Sequence, residues 1–260
     1  MSTWKEETRH VDYTAEAHAF VFRHWKVTLL MGIFCLVDAA GSLALLDSRD
    51  PSDAAAFNIL LSLVMLPAAI GCFHVTASAR PQEYFFRRVY GYGLSRLFVS
   101  LLALLPFFVV WLLGFLAIAF PLTLLTRSVA GSVFALVFGF INPWALRLSM
   151  VVPVMAVHDI PFGGAIGRTW RASKGHASGI FFGCYLPLFL MWLVNMLLAF
   201  LVGGFDQPKD GQVAAILVCL PLGIYSNSFW IGAMVSLAHA VMNTGNAKAT
   251  ESPAVANPAR

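Results

Sequence analysis

The sequence predicts an all-α integral membrane protein: six transmembrane helices with amphipathic interfacial helices on the cytoplasmic side. Three observations lead there. Of 260 residues, 59% are hydrophobic and 12% charged, against roughly half and a quarter in soluble domains. Apolar runs long enough for a ~30 Å hydrocarbon core, which takes about 20 residues, occupy 26–46, 54–76, 97–125, 130–157, 178–203 and 213–240. The segments between them alternate between rich and poor in Lys and Arg.

That alternation sets the orientation. Lys5, Arg9, Arg23 and Lys26 precede the first run; Arg80, Arg87, Arg88 and Arg96 follow the second; Arg168, Arg171 and Lys174 follow the fourth; Lys248 and Arg260 lie in the tail. The other side carries only Arg49, Arg127 and Lys209, beside Asp47, Asp50, Asp53, Asp206 and Asp210. Both termini are therefore expected in the cytoplasm, as an even number of spans requires.

Three regions follow. Residues 1–25 form a cytoplasmic segment in which Ala15, Ala19 and Phe22 share one helix face near Arg23, Trp25 and Lys26, the composition of an interfacial helix. A signal peptide is not expected, because the first apolar run starts late, contains Asp38 and lacks a small-residue cleavage site. Residues 26–243 form the membrane domain, with a tight hairpin expected at Leu125-Thr126-Arg127-Ser128. Residues 244–260, rich in Ala, Pro and Asn, are expected to be disordered. The four cysteines, Cys35, Cys72, Cys184 and Cys219, all sit in apolar runs without metal or disulfide spacing, and read as packing residues.

A short motif recurs on the cytoplasmic side. Seven residues after Pro81 and after Pro161 comes an arginine, one residue short of an aromatic: Arg88-Val89-Tyr90 and Arg168-Thr169-Trp170, with Arg23-His24-Trp25 as a third instance. Three repeated units of interfacial helix plus helical hairpin would produce this pattern. So would the general attraction of Arg and aromatics to a membrane interface.

The stretch from Arg147 to Gly175 is the most informative. Pro161 suits the first turn of a helix. Phe162, Ile166 and Trp170 then form an apolar stripe, with Arg168, Arg171 and Lys174 fanning out opposite. A helix of this kind is expected to lie along the membrane surface, its cations together with Arg88 and Trp170 facing anionic headgroups, each charge contributing about 1 kcal/mol. Topological anchoring would use the same residues.

The run Ala165-Ile166-Gly167-Arg168-Thr169-Trp170-Arg171-Ala172-Ser173-Lys174-Gly175, with Arg147 and Pro153 before it, resembles the hallmark segment of a bacterial membrane domain. That domain accompanies some glycerophosphoryl diester phosphodiesterases, and similar segments occur in YciC-type inner-membrane proteins. Their pattern reads Ala-Leu-x-x-Ser-x-x-Leu-x-x-Gly; here Ile166, Thr169 and Ala172 replace Leu, Ser and Leu, while Ala165 and Gly175 match. The resemblance implies a six-helix fold in the bacterial inner membrane and little about activity. In those enzymes the chemistry resides in a separate soluble barrel with a His-Arg-Gly motif and paired carboxylates. This chain has neither, so the expectation is a non-enzymatic protein without a cofactor.

Ionisable residues inside spans are costly and mark functional candidates. Asp38 lies twelve residues beyond Lys26 and Arg147 ten before the end of its run, placing them about 18 and 15 Å from the cytoplasmic edge at 1.5 Å per residue. Matching depths predict that they pair, directly or through Asn142, since pairing lowers the desolvation cost. Asn142, Asn195, Tyr225 and Asn227 are further mid-depth polar residues that could line a cavity or simply hydrogen-bond between helices. His74, His158, His176 and His239, with Asp159, gather near the cytoplasmic side, but without compact ligand spacing no metal is expected.

The leading expectation is an inner-membrane protein that binds or handles lipid, anionic lipid above all, or helps organise the envelope, with no role in nucleic-acid binding. A small transporter or channel built around Asp38 and Arg147 is one alternative. A membrane anchoring or assembly subunit, acting with a protein partner or as a homo-oligomer, is the other.

Overall fold

The computed structural model describes residues 3–45, 51–78, 84–126, 142–203 and 209–250. Every regular element among them is helical: α1 Thr3–Arg23, α2 Trp25–Ala44, α3 Pro51–Ala77, α4 Phe85–Thr126, α5 Pro143–Ser149, α6 Val151–Val157, α7 Phe162–Ala172, α8 Ala177–Ile180, α9 Leu186–Gly203 and α10 Lys209–Thr250, with a π-helical turn at Phe181–Tyr185 joining α8 to α9.

Among the described residues, five stretches are long and apolar enough to cross a membrane: Trp25–Ala44, Ala55–Ala77, Phe85–Gly114, Ala177–Val202 and Gly211–Asn243. Four of them fall within three residues of the sequence-predicted runs. The third begins twelve residues earlier than the predicted 97, because α4 starts at Phe85 and takes in Arg87, Arg88 and Arg96. Long basic side chains can lie along a helix while their charged ends reach toward water, so a charge-based boundary stops too late. The expected fourth run, 130–157, is described only from residue 142, and the hairpin at 125–128 lies largely outside the described residues. The described part is not one helix. α5 and α6 meet at Met150, three residues ahead of Pro153. A proline lacks the N–H that would bond four residues back, and its ring crowds that carbonyl.

The buried core centres on the second half of α10. Phe229, Ile231, Met234, Leu237, Ala238 and Val241 are buried there, and α1, α6, α7 and the π turn pack around this part of the bundle. By contrast, α2, α3, α4 and α9 leave large apolar side chains outward, among them Ile33, Leu60, Phe98 and Leu197. Such broad apolar exposure on long helices is what a lipid environment covers.

α1 is a helix as expected, but it docks instead of floating on an apolar face of Ala15, Ala19 and Phe22. Phe22 is 77% exposed, while Ala17, Phe20 and Val21 are buried. The buried set follows from the partner: α1 packs on α10, where Gly232 leaves no room for a side chain beyond the ring of Phe20. At the other end, the helix of α10 continues to Thr250, through the first seven residues of the segment expected to be disordered. Residues 251–260 lie outside the described set.

Among the described residues, the α3/α4 hairpin has the tightest backbone approach at a glycine. A Cβ at Gly71 would collide with the carbonyl oxygen of Val89, and one at Gly93 with that of Pro67. Gly71→Ala and Gly93→Ala are each expected to destabilise by about 1–3 kcal/mol, the usual cost of overpacking, whereas Gly91→Ala, whose site is open, is expected to be near neutral. Thermal unfolding in mild detergent checks the contrast.

His24 forms the joint between α1 and α2. Its carbonyl accepts the Val27 N–H at 2.8 Å, and its ring packs against Phe20 with the planes tilted by 30° and centroids 4.3 Å apart. Burial, aided by the charge of Arg23, pushes its pKa below the ordinary 6.5. The unfolded chain therefore binds the proton more readily, so stability from this group is present above pH 6.5 and is lost as pH falls through the folded-state value. Thermal midpoints measured across mildly acidic pH are expected to fall more steeply for the native protein than for His24→Gln.

Candidate functional site

The α5–α7 segment is organised by the guanidinium of Arg147. α5 starts cleanly because Asn142 caps it, accepting the Trp144 N–H at 3.0 Å, with Pro143 in the first turn where no N–H is needed. This start places Arg147 on the last turn of α5, beside the end of α7. α7 itself begins at Pro161, whose carbonyl accepts the N–H groups of Gly164 and Ala165. It folds back against α6 and α5, bringing its C-terminal turn to the arginine.

Three interactions fix the guanidinium. Nη2 donates to the carbonyl oxygen of Trp170, Nε donates to Ser173 Oγ at 3.2 Å, and the charge sits 3.8 Å from the centroid of the Trp170 ring. The last carbonyls of a helix lack intrahelical partners and carry the negative end of its dipole, so a buttressing cation there is doubly favoured. Stacking on indole adds a cation–π term. Ser173, fully buried, completes the knot by donating to the same carbonyl at 3.5 Å.

The expected Asp38–Arg147 pair is not made. α2 packs against α1, α3 and α10, and Asp38 lies on its exposed side. Arg147 meets its hydrogen-bonding needs through α7 instead, which equal depth along two helices could not reveal. Asn142 does not bridge them, since its side chain is used as the helix cap.

On α7, Arg168 and Arg171 are exposed, as is Lys174 just beyond its end; Ala165 and Thr169 are buried and Phe162 and Ile166 pack against the core. The buried stripe is thus Phe162, Ala165, Ile166 and Thr169. Trp170, expected in that stripe, sits on its flank beneath Arg147. Arg171 Nε donates to Gly167 O at 3.2 Å, holding its guanidinium along the helix surface. Arg88 lies in the first turn of α4, on a different element from these cations.

The mid-depth polar residues make separate contacts instead of converging. Tyr225 hydroxyl bonds His18 Nδ1 on α1 and lines a cleft of about 390 Å³ with Phe22, Thr28 and Pro221. Asn227 donates to Cys35 Sγ at 3.4 Å and Gly223 O at 3.0 Å. At Asn195 the backbone carbonyl accepts the Cys219 thiol at 3.4 Å, while the side-chain Oδ1 is buried without a hydrogen-bond partner among the described residues; the residue borders another cleft, of about 410 Å³, with Trp192 and Gln212. The Tyr225–His18, Asn227–Cys35 and Cys219–Asn195 contacts are interhelical ties.

The histidines likewise divide. His74 stacks on Tyr92 with ring planes 2° apart and bonds Ala156 O at 3.0 Å; His158 meets His239 edge-on and bonds Ala238 O at 3.3 Å. Among the described residues, no group of three or more His, Cys, Asp or Glu converges as a metal site would. Beside His74 lies a knot that sequence reasoning missed: Arg96 Nη2 meets Asp159 Oδ1 at 2.9 Å, and Tyr92 hydroxyl donates to the same oxygen at 3.3 Å. Asp159 adopts φ 47, unusual for a residue with a side chain but more accessible to Asp than to most.

No family model matches the chain, and neither a curated protein nor a solved structure matches it.

Arg147→Lys is expected to destabilise by about 2 kcal/mol, because an ammonium cannot make both hydrogen bonds while stacking flat on the indole. Asp38→Asn is expected to leave stability unchanged or raised. Unfolding midpoints of the two variants in detergent check this; equal losses would restore the Asp38 pairing.

Proposed function

We propose that this chain is a non-enzymatic bacterial inner-membrane protein that engages anionic phospholipid through α7, with six spans and both termini in the cytoplasm. The observation that carries the reading is the two-sidedness of α7: Ala165 and Thr169 are buried against the bundle while Arg168, Arg171 and Lys174 remain exposed. Arg147 clamps the end of the helix, so the three cations are presented from a fixed platform, and fixing charges before binding lowers the entropic cost of engaging a headgroup. The lipid-exposed apolar sides of α2, α4 and α9 support a bilayer setting. The alternation of basic and acidic loops supports the orientation. A transport pathway receives less support, because the side chains of Asn142, Tyr225 and Asn227 are each engaged in a separate contact.

In nanodiscs, the thermal midpoint of the native protein is expected to rise as phosphatidylcholine is replaced by phosphatidylglycerol. Arg168→Gln/Arg171→Gln/Lys174→Gln is expected to flatten that response without shifting the midpoint in pure phosphatidylcholine. An identical response from native and triple variant sinks the reading.

A further inference from the structure

A second lipid-facing feature lies away from α7, where the first turns of α2 and α4 border a cleft of about 470 Å³. Its lining combines two cations, Lys26 and Arg87, with Trp25, Tyr84, Phe86 and Leu29. Lys26 Nζ stands 5.8 Å from the centroid of the Trp25 ring. Arg87 is exposed. Aromatic and basic side chains at the end of an apolar helix mark the headgroup level of a bilayer.

Two further observations say what the cleft fits. Tyr84, which lines the cleft, has φ 54, a left-handed conformation that is uncommon and unfavourable for an aromatic residue, and is 76% exposed. Below the cleft, α2 continues an outward apolar face through Leu29, Ile33 and Leu36. With Lys26 these residues recur at helical spacing, so one charged position leads directly into a lipid-length apolar track. A free anion would use only the cations; an amphiphile would use the cations and the track together.

We propose that this cleft is a binding site for an anionic phospholipid of the surrounding bilayer, its phosphate held by Lys26 and Arg87 and an acyl chain running along Leu29, Ile33 and Leu36. The aromatic rings of Trp25, Tyr84 and Phe86 flank the glycerol region. Its residues are separate from those of α7, so the site stands or falls independently of the headgroup contact made there.

The full-length protein reconstituted in phosphatidylcholine vesicles, with a minority of brominated phosphatidylglycerol as probe, tests the site by tryptophan quenching. The contribution of Trp25 is the difference between native protein and Trp25→Phe. That contribution is expected to be quenched with roughly tenfold or greater preference for brominated phosphatidylglycerol over brominated phosphatidylcholine, as two cations near the surface would give. Lys26→Gln/Arg87→Gln is expected to lose the preference, and Lys26→Arg/Arg87→Lys to keep it, which separates lost charge from lost fold. Equal quenching by both lipids overturns the proposal. So does a preference lost equally in Arg168→Gln/Arg171→Gln/Lys174→Gln, which would make it a general surface potential, or one abolished by added inorganic phosphate, which would make the ligand a soluble phosphate.

Discussion

A guanidinium is always charged and carries five donors, so an arginine on an apolar helix dictates what must lie beside it. Arg147 is the residue with that authority in this protein. Its donors take the Trp170 carbonyl and Ser173 Oγ, and its flat face takes the Trp170 ring. The consequence is geometric: the end of α7 is tied to α5, and the chain between them must turn at Ile160 and Pro161 and fold back. Without the tie, α7 would be an eleven-residue helix, too short to persist on propensity alone. With it, one side can bury Ala165 and Thr169 while the cations stay outward.

The same logic sorts the other cations. Arg96 turns toward Asp159 and Tyr92 and helps join α4 to the end of α6, beside the His74–Ala156 bond from α3. Arg147 and Arg96 are therefore fold-making residues, whereas Arg87, Arg168 and Lys174 are exposed. Counting positive charges by loop, which sets orientation, does not separate these two groups. Contacts do.

Much of the architecture was legible because membrane spans are written in length and hydropathy. The runs at 26–46, 54–76, 178–203 and 213–240 have helical counterparts within three residues. The helix after Pro161 follows from what proline tolerates in a first turn. The start of α4 was not legible, since Arg87, Arg88 and Arg96 look like a loop to any rule that treats charge as a boundary. Nor was the docked face of α1. Its amphipathic pattern allows more than one apolar stripe, and only the flat spot at Gly232 on α10 selects Phe20 over Phe22. For Arg147, the partner expected from sequence differs from the one the structure gives it. Arg147, Trp170 and the α7 cations all stood out in sequence, but a depth match along two helices fixes one coordinate of three, and Asp38 faces another way.

That error is informative about how this fold treats a charge on an apolar helix. A salt bridge across the bundle would have desolvated two ions, and such pairs often return less than their desolvation costs. The structure instead stabilises Arg147 with dipoles: a helix-end carbonyl, a hydroxyl and a π face. Dipoles need no second ion to be taken out of water, and they come from the helix whose position they determine. The contact thus secures α7 without fixing the sign of the surface around it, which leaves Arg168, Arg171 and Lys174 as a net cationic face. Had an aspartate supplied the counter-charge at the end of α7, that face would have lost part of its positive potential at the place where an anionic headgroup would approach.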